Sequence, residues 1–225
     1  MSDRSYTRRD ALRVGSTALL GAVAGCIGDS GAQGGGTPTS EHPAGRGLAS
    51  QPTQGADPTS AEVVIVAFSD PSCPYCKRFA EDTLPKIRSN VLDEGAAAYV
   101  YRGLGMVQAW GTPGAKALEA TFERSPSAHW ALERHYYDRQ KHFAEETVLP
   151  KTKTFLDEQT DVDGDAVVSA VRNGEVDDAY HLDEASASDA GVRGTPTFFL
   201  FRDGHFLTKI VGAVGYDVFA TALDV

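Results

Sequence analysis

Cysteine is scarce in this chain: there are three in 225 residues. That excludes a fold stapled by several disulfides, since once two cysteines pair, only one remains and a second bridge cannot form. Methionine and tryptophan each occur twice. No second cysteine pair exists, and no Met or His cluster stands near the first. A four-ligand zinc site of ordinary spacing therefore lacks its other half. Positive charge is also in deficit. Against 31 acidic residues stand 21 Lys and Arg, giving a formal net charge of −10 at pH 7. No basic patch is visible, which argues against nucleic acid as a partner. The apolar run Val14–Ala24 is too short to cross a bilayer by itself. What is present is 41% hydrophobic content, enough for the core of one domain.

The first 26 residues read as an export segment rather than structure. Arg8 and Arg9 precede the apolar run, which ends in Val23-Ala24-Gly25-Cys26. The arrangement resembles a twin-arginine signal, with Ala11 where a bulky Phe is common, followed by a lipoprotein lipobox. That resemblance makes Cys26 the lipidated first residue of the mature protein, held on the outer face of a cell membrane. The remainder carries 17 basic and 29 acidic residues, with Asp favoured over Glu and Arg over Lys. Such a surface suits high salt, or simply an acidic extracytoplasmic protein. From Ile27 to Ser60 the chain is rich in Gly, Ser, Thr, Pro, Ala and Gln, and reads as a flexible tether. The folding domain is expected over residues 61–225.

The chemistry concentrates in Ser72-Cys73-Pro74-Tyr75-Cys76-Lys77-Arg78-Phe79. An apolar strand, Glu62 to Ser69, runs into a turn, and a helix starts at Pro74 and continues to about Asp93, with a kink at Leu84-Pro85. The thiolate is the nucleophile, so the chemistry needs a thiol of lowered pKa. A helix N-terminus supplies this through its unpaired N–H groups and dipole. Pro74 suits the first helical turn, where its missing N–H costs nothing. Cys73 is expected to be the exposed nucleophile and Cys76, on the same helix face, the resolving thiol. Lys77 and Arg78 would add positive potential. A structural disulfide or half of a metal site is the alternative.

A second strand is expected over Ala97–Arg102, parallel to the first through a right-handed crossover. Residues 113–190 read as helical, with helices at Ala115–Arg124 and Ala128–Lys141, one capped by Asp163 or Asp165, and one over Val176–Ala190 stopping at Gly191. Asp161 to Asp165 lacks the full spacing of a calcium loop, so a helix cap is the better reading. His129, His135 and His142 are placed on solvated helix faces. Trp110 and Trp130 line a groove or pack. Thr195–Phe201 and His205–Val211 form a hairpin about Asp203-Gly204, and Tyr216–Leu223 a closing helix.

The strand, the C-x-x-C helix, the helical block and Gly191-Val192-Arg193-Gly194-Thr195-Pro196-Thr197 together resemble the DsbA-like branch of the thioredoxin superfamily. The resemblance spans about Ala61 to Val225. It implies an α/β thioredoxin-like fold with a helical insertion between its second and third strands. It implies thiol–disulfide exchange with exported protein thiols, Cys73 carrying the mixed disulfide and Cys76 resolving it. By the same resemblance Thr195–Pro196 is a cis bond facing the dithiol. The backbone of Thr195, with Pro196, Pro74 and Tyr75, would then hold an extended substrate peptide. No cofactor and no metal are implied beyond the Cys73–Cys76 pair. A membrane redox partner and a monomer are expected. These relatives keep a buried acid six residues before the first cysteine. Here that position is Ala67, and Glu62 or Asp70 are the nearby acids. Direction is open: an oxidase leads, a reductase is the alternative, and a non-enzymatic metal carrier or binding lipoprotein is a different class.

Overall fold

The computed structural model describes residues 36–225. The export segment, Cys26 and the first part of the expected tether lie outside them. A five-stranded mixed sheet runs through the domain in the order β1-β3-β2-β4-β5. Its strands are β1 Thr53–Gly55, β2 Val63–Ser69, β3 Ala97–Gly103, β4 Thr197–Arg202 and β5 His205–Val211. β2 and β3 are parallel, and the other pairs are antiparallel. The helices are α1 Pro74–Asp82, α2 Leu84–Ile87, α3 Gly111–Phe122, α4 Pro126–Asp138, α5 Glu145–Gln159, α6 Gly164–Asn173, α7 Asp177–Asp189 and α8 Tyr216–Leu223. Five of them, α3 to α7, form the insertion between β3 and β4.

The unbroken apolar run of β2 has a simple cause: every residue of the strand is buried. Val63, Ile65 and Ala67 face one core, with Phe79, Tyr99, Tyr101, Phe198 and Phe219 from α1, β3, β4 and α8. Val64, Val66 and Phe68 face the other, with Ala98, Val100, Phe199 and Phe201. A strand dry on both faces needs cover on both faces.

That need corrects one expectation. Residues 36–60 are part of the fold and not a free tether. Ala44 and Leu48 are 0% and 6% exposed in the second core, beside Ala187 of α7. His42 stacks on Phe206 with ring centroids 4.7 Å apart. The Phe206 N–H donates to the Thr37 carbonyl and the Thr39 N–H to the Gly204 carbonyl, along β5. On the opposite edge β1 pairs with β3. The few bulky residues of this Gly- and Pro-rich stretch all find a slot, which composition averages conceal. Leu48→Ala is expected to cost ~2–3 kcal/mol by loss of burial plus a residual cavity. Urea unfolding checks this, and a loss under ~0.5 kcal/mol, as is usual for surface sites, would restore the tether reading.

Other departures are local. α1 stops at Asp82, because Pro85 has no N–H for the Glu81 carbonyl. α2 and a π-helical turn, Arg88–Leu92, carry the chain on. The Asp203-Gly204 turn has both residues in the left-handed region, as that pair favours. Asp163 caps α6 through the Asp165 and Ala166 N–H groups. His129 is not solvated: it is 0% exposed among Tyr101, Phe122 and Trp130. Its Nδ1–H donates to the Leu118 carbonyl at 3.1 Å, and burial pushes its pKa down to about 4. Trp110 is buried against Tyr136 and Phe143, so it packs.

Candidate active site

β2 ends at Ser69, and the turn that follows is tied into a knot by Asp70. Its Oδ1 accepts from the Ser72 N–H at 2.7 Å and the Ser72 hydroxyl at 2.6 Å. Its Oδ2 accepts from the Met106 and Val107 N–H groups at 2.7 and 2.8 Å. The Ser72 hydroxyl in turn accepts from the Gln108 N–H. Asp70 is 0% exposed and its lone pairs are committed to this loop. It is therefore an anchor and not a proton carrier. Glu62 is exposed at the far end of β2 and serves the dithiol no better.

The knot delivers Cys73 as the N-cap of α1, with φ −82° and ψ 122°, and Pro74 as the first helical residue. Both cysteines are free thiols. Their environments differ sharply. Cys73 is pulled down to about 6. The largest cause is the hydrogen bond from the Cys76 thiol. Burial opposes it, and Thr195 and the Cys76 and Tyr75 amides assist it. Cys76 is 1% exposed and pushed well above the ordinary thiol range, first by burial and then by its bond to Cys73 and the charge there. One N–H, from Asp70, donates to Cys76 Sγ at 3.4 Å. The pair thus holds one thiolate and one thiol near neutrality, the division thiol exchange needs.

Cys73 was expected to be exposed, yet the residue is 2% exposed. Two elements close over it. The Thr195–Pro196 peptide is cis, and the Thr195 carbonyl accepts from Cys73 Sγ at 3.3 Å. Gln140, between α4 and α5, donates its Nε2–H groups to the carbonyls of Pro71 and Cys73 at 2.9 and 3.0 Å. Pro74 and Tyr75 remain outside, Tyr75 at 56% exposure, and Met106 and Val107 of the Asp70 knot are also exposed.

The structure therefore brings Cys73, Pro74, Tyr75, Cys76, Thr195 and Pro196 together. Lys77 is engaged elsewhere, donating to the Tyr137 carbonyl and pairing with Glu81, and Arg78 lies over the Tyr75 ring. Sequence reading missed Gln140, Tyr137 and Glu133. Tyr137 is buried in one cluster with both cysteines. Gln140 left no signal, being one polar residue in a polar stretch. Glu133 did leave one. It shares the buried stripe of α4 with Ala128, His129, Leu132, Tyr136 and Tyr137, where an acid is out of place.

Comparison with known proteins agrees with this fold. Residues 50–224 match the thioredoxin family. Disulfide bond formation protein D of Bacillus subtilis is 29% identical over 100 residues, 44% of this chain and 44% of that protein. The probable disulfide bond formation protein D of Bacillus anthracis is 21% identical over 142 residues, 62% and 65% of the two chains. The chain thus spans less than two thirds of these curated relatives. The oxidised crystal structure of BdbD from Bacillus subtilis superimposes with a TM-score of 0.70 at 20% identity, over 84% of this chain and 96% of that one. Wolbachia pipientis alpha-DsbA1 gives 0.64 at 17% identity, over 77% and 89%. With its match running from ahead of β1 to the end of α8, and the DsbA proteins among its structural neighbours, the chain belongs to the thioredoxin family and has a DsbA-like fold.

Proposed function

We propose that this protein is a thiol–disulfide oxidoreductase that introduces disulfides into exported protein thiols. The observation that carries the reading is the asymmetry of the dithiol: a Cys73 pulled down to about 6 beside a Cys76 pushed up. Stabilising the Cys73 thiolate stabilises the reduced form, which makes the disulfide a better oxidant. The names of the Bacillus relatives point the same way. An incoming substrate thiolate attacks Cys73 Sγ, and Cys76 leaves. Tyr75 and the exposed Met106 and Val107 offer apolar surface to the substrate, and the Thr195 backbone, next to Pro196, offers it an added-strand contact. In this reading the Cys73–Cys76 pair is the whole redox apparatus, and a membrane redox partner restores its disulfide. Cys26 carries the lipid anchor that keeps the monomer extracytoplasmic, and the acidic surface keeps it soluble in salt.

Equilibration of the Cys73–Cys76 pair against glutathione tests the direction. A potential nearer the ~−120 mV of DsbA than the ~−270 mV of thioredoxin is expected. A value at the thioredoxin end would make the protein a reductase.

A further inference from the structure

A cavity of about 530 Å³ lies between the end of α4, the turn Gln140–His142 and α5. That volume falls in the range of small-molecule sites, roughly 300–1,000 Å³. Its apolar lining is aromatic. Phe143 and Phe155 contribute their rings, and the His135 ring stacks on Phe155 with centroids 4.1 Å apart and stands at 79° to Phe143. Its charged lining is mostly positive. Arg139 and Lys151 stand against one acid, Glu158, and His142 adds a second imidazole. In a chain of formal charge −10 this is a local reversal of sign. Neither Arg139 nor Glu158 makes an ion pair among the described residues. Lys151 donates to the His142 carbonyl, and its ammonium stands 5.7 Å from the Phe143 centroid. Cations without an acid of their own, set around aromatic rings, match a ligand that carries a negative charge on a flat apolar body.

We propose that this cavity binds a small organic anion with an aromatic body, its acid group held by Arg139 and Lys151 and its rings by Phe143, Phe155 and His135. A guanidinium offers a carboxylate, sulfonate or phosphate two parallel donors, and the ammonium adds a point charge. An inorganic ion would leave the aromatic lining unused. An uncharged ring would leave Arg139 unpaired. The ligand class therefore needs both halves. The site adjoins the cover of the dithiol: Arg139 and His142 flank Gln140 in the chain, and Gln140 is fastened to the Pro71 and Cys73 carbonyls. Lys77 fastens the same end of α4, donating to the Tyr137 carbonyl at 2.8 Å. His135 supplies a reporter. Burial first, and then the charge of Arg139, hold it below the ordinary histidine range, against the pull of Asp138. An anion brought beside this ring must raise its midpoint. The other charged and titratable groups around it are His142 of the turn and Lys151 and Glu158 of α5.

The test titrates the folded full-length protein with 1-anilinonaphthalene-8-sulfonate, an aromatic sulfonate that fluoresces when it leaves water. One equivalent is expected to bind. Its uncharged analogue, N-phenyl-1-naphthylamine, should bind tenfold or more weaker. The double variant Arg139→Gln, Lys151→Gln should weaken the sulfonate tenfold or more, as loss of charge-assisted contacts does, and leave the analogue unchanged. Met106→Ser, in the exposed apolar loop near the dithiol, should leave the sulfonate affinity as it is. Equal affinity of the two probes, undiminished binding by the double variant, or loss of binding in Met106→Ser would each show adhesion to apolar surface elsewhere and overturn the proposal. So would no binding at millimolar probe. Should the double variant not fold, proton NMR of His135 in the wild type decides. Its titration midpoint must rise when the sulfonate saturates the protein, and an unmoved midpoint rejects the site.

Discussion

The Cys73→Ser variant is expected to drop thiol–disulfide exchange to the uncatalysed background, while Cys76→Ser still attacks and stalls as a mixed disulfide. The wild type should show why. Its reactivity towards a small disulfide is expected to rise with a midpoint near pH 6, where Cys73 titrates. An ordinary thiol near ~8.5 is only a few per cent thiolate at pH 7, whereas Cys73 is about nine-tenths thiolate there. The stability of the reduced protein follows the same titration. A lowered folded pKa adds stability above the unfolded value, and that contribution is lost as pH falls through about 6. At pH 7, one unit above the folded midpoint, it amounts to roughly 1.4 kcal/mol. The oxidised protein has no such term. The gap between reduced and oxidised stabilities should therefore narrow on acidification from pH 8 to 5. A thiolate absorbance midpoint near ~8.5 would remove the basis of both expectations.

The second large effect lies on the other face of the sheet. Arg102→Leu is expected to destabilise the protein by ~3–5 kcal/mol, as breaking a buried ion pair does. Arg102 and Asp183 are both 0% exposed, and the guanidinium meets Asp183 Oδ1 at 2.6 Å. It also donates to the Arg46 carbonyl. Asp183 accepts from Gln51 Nε2–H at 3.1 Å and from the Gly103 N–H at 2.9 Å. Glu119 stands nearby, pushed up to about 8 by burial and then by the charge of Asp183. Removing the arginine leaves Asp183 buried without its counter-charge. The double variant Arg102→Leu, Asp183→Leu should recover much of the loss, and Asp183→Leu alone should not. Equal urea midpoints for Arg102→Leu and the wild type would show that the pair is solvated and worth little.

The β2 run, the cysteine pair, the break at Pro85, the Asp203-Gly204 hairpin and the Asp163 cap were all legible, because each rests on local chemistry. Thr195–Pro196 was legible through resemblance, not through its own composition. The fate of residues 36–60 was not, since it depends on where Ala44 and Leu48 land against a distant core. The cover over Cys73 was hidden for the same reason: Gln140 matters only because α4 returns the chain to the Pro71 carbonyl. Glu133 was readable in principle as an acid in an apolar helical stripe.

The strip from Thr37 to Thr39 lies against β5, and β1, little more than a dozen residues on, closes the opposite border at β3. Exposed borders of this kind invite pairing with other chains. Here one short segment blunts both. It also sets an order of assembly. The bridge from Pro38 to His205 joins the beginning of the described chain to the start of its last strand. A nascent polypeptide cannot make that closure until the last hairpin has left the ribosome. Residues 37–39 are thus obliged to settle after β5 has formed, although they are made long before it.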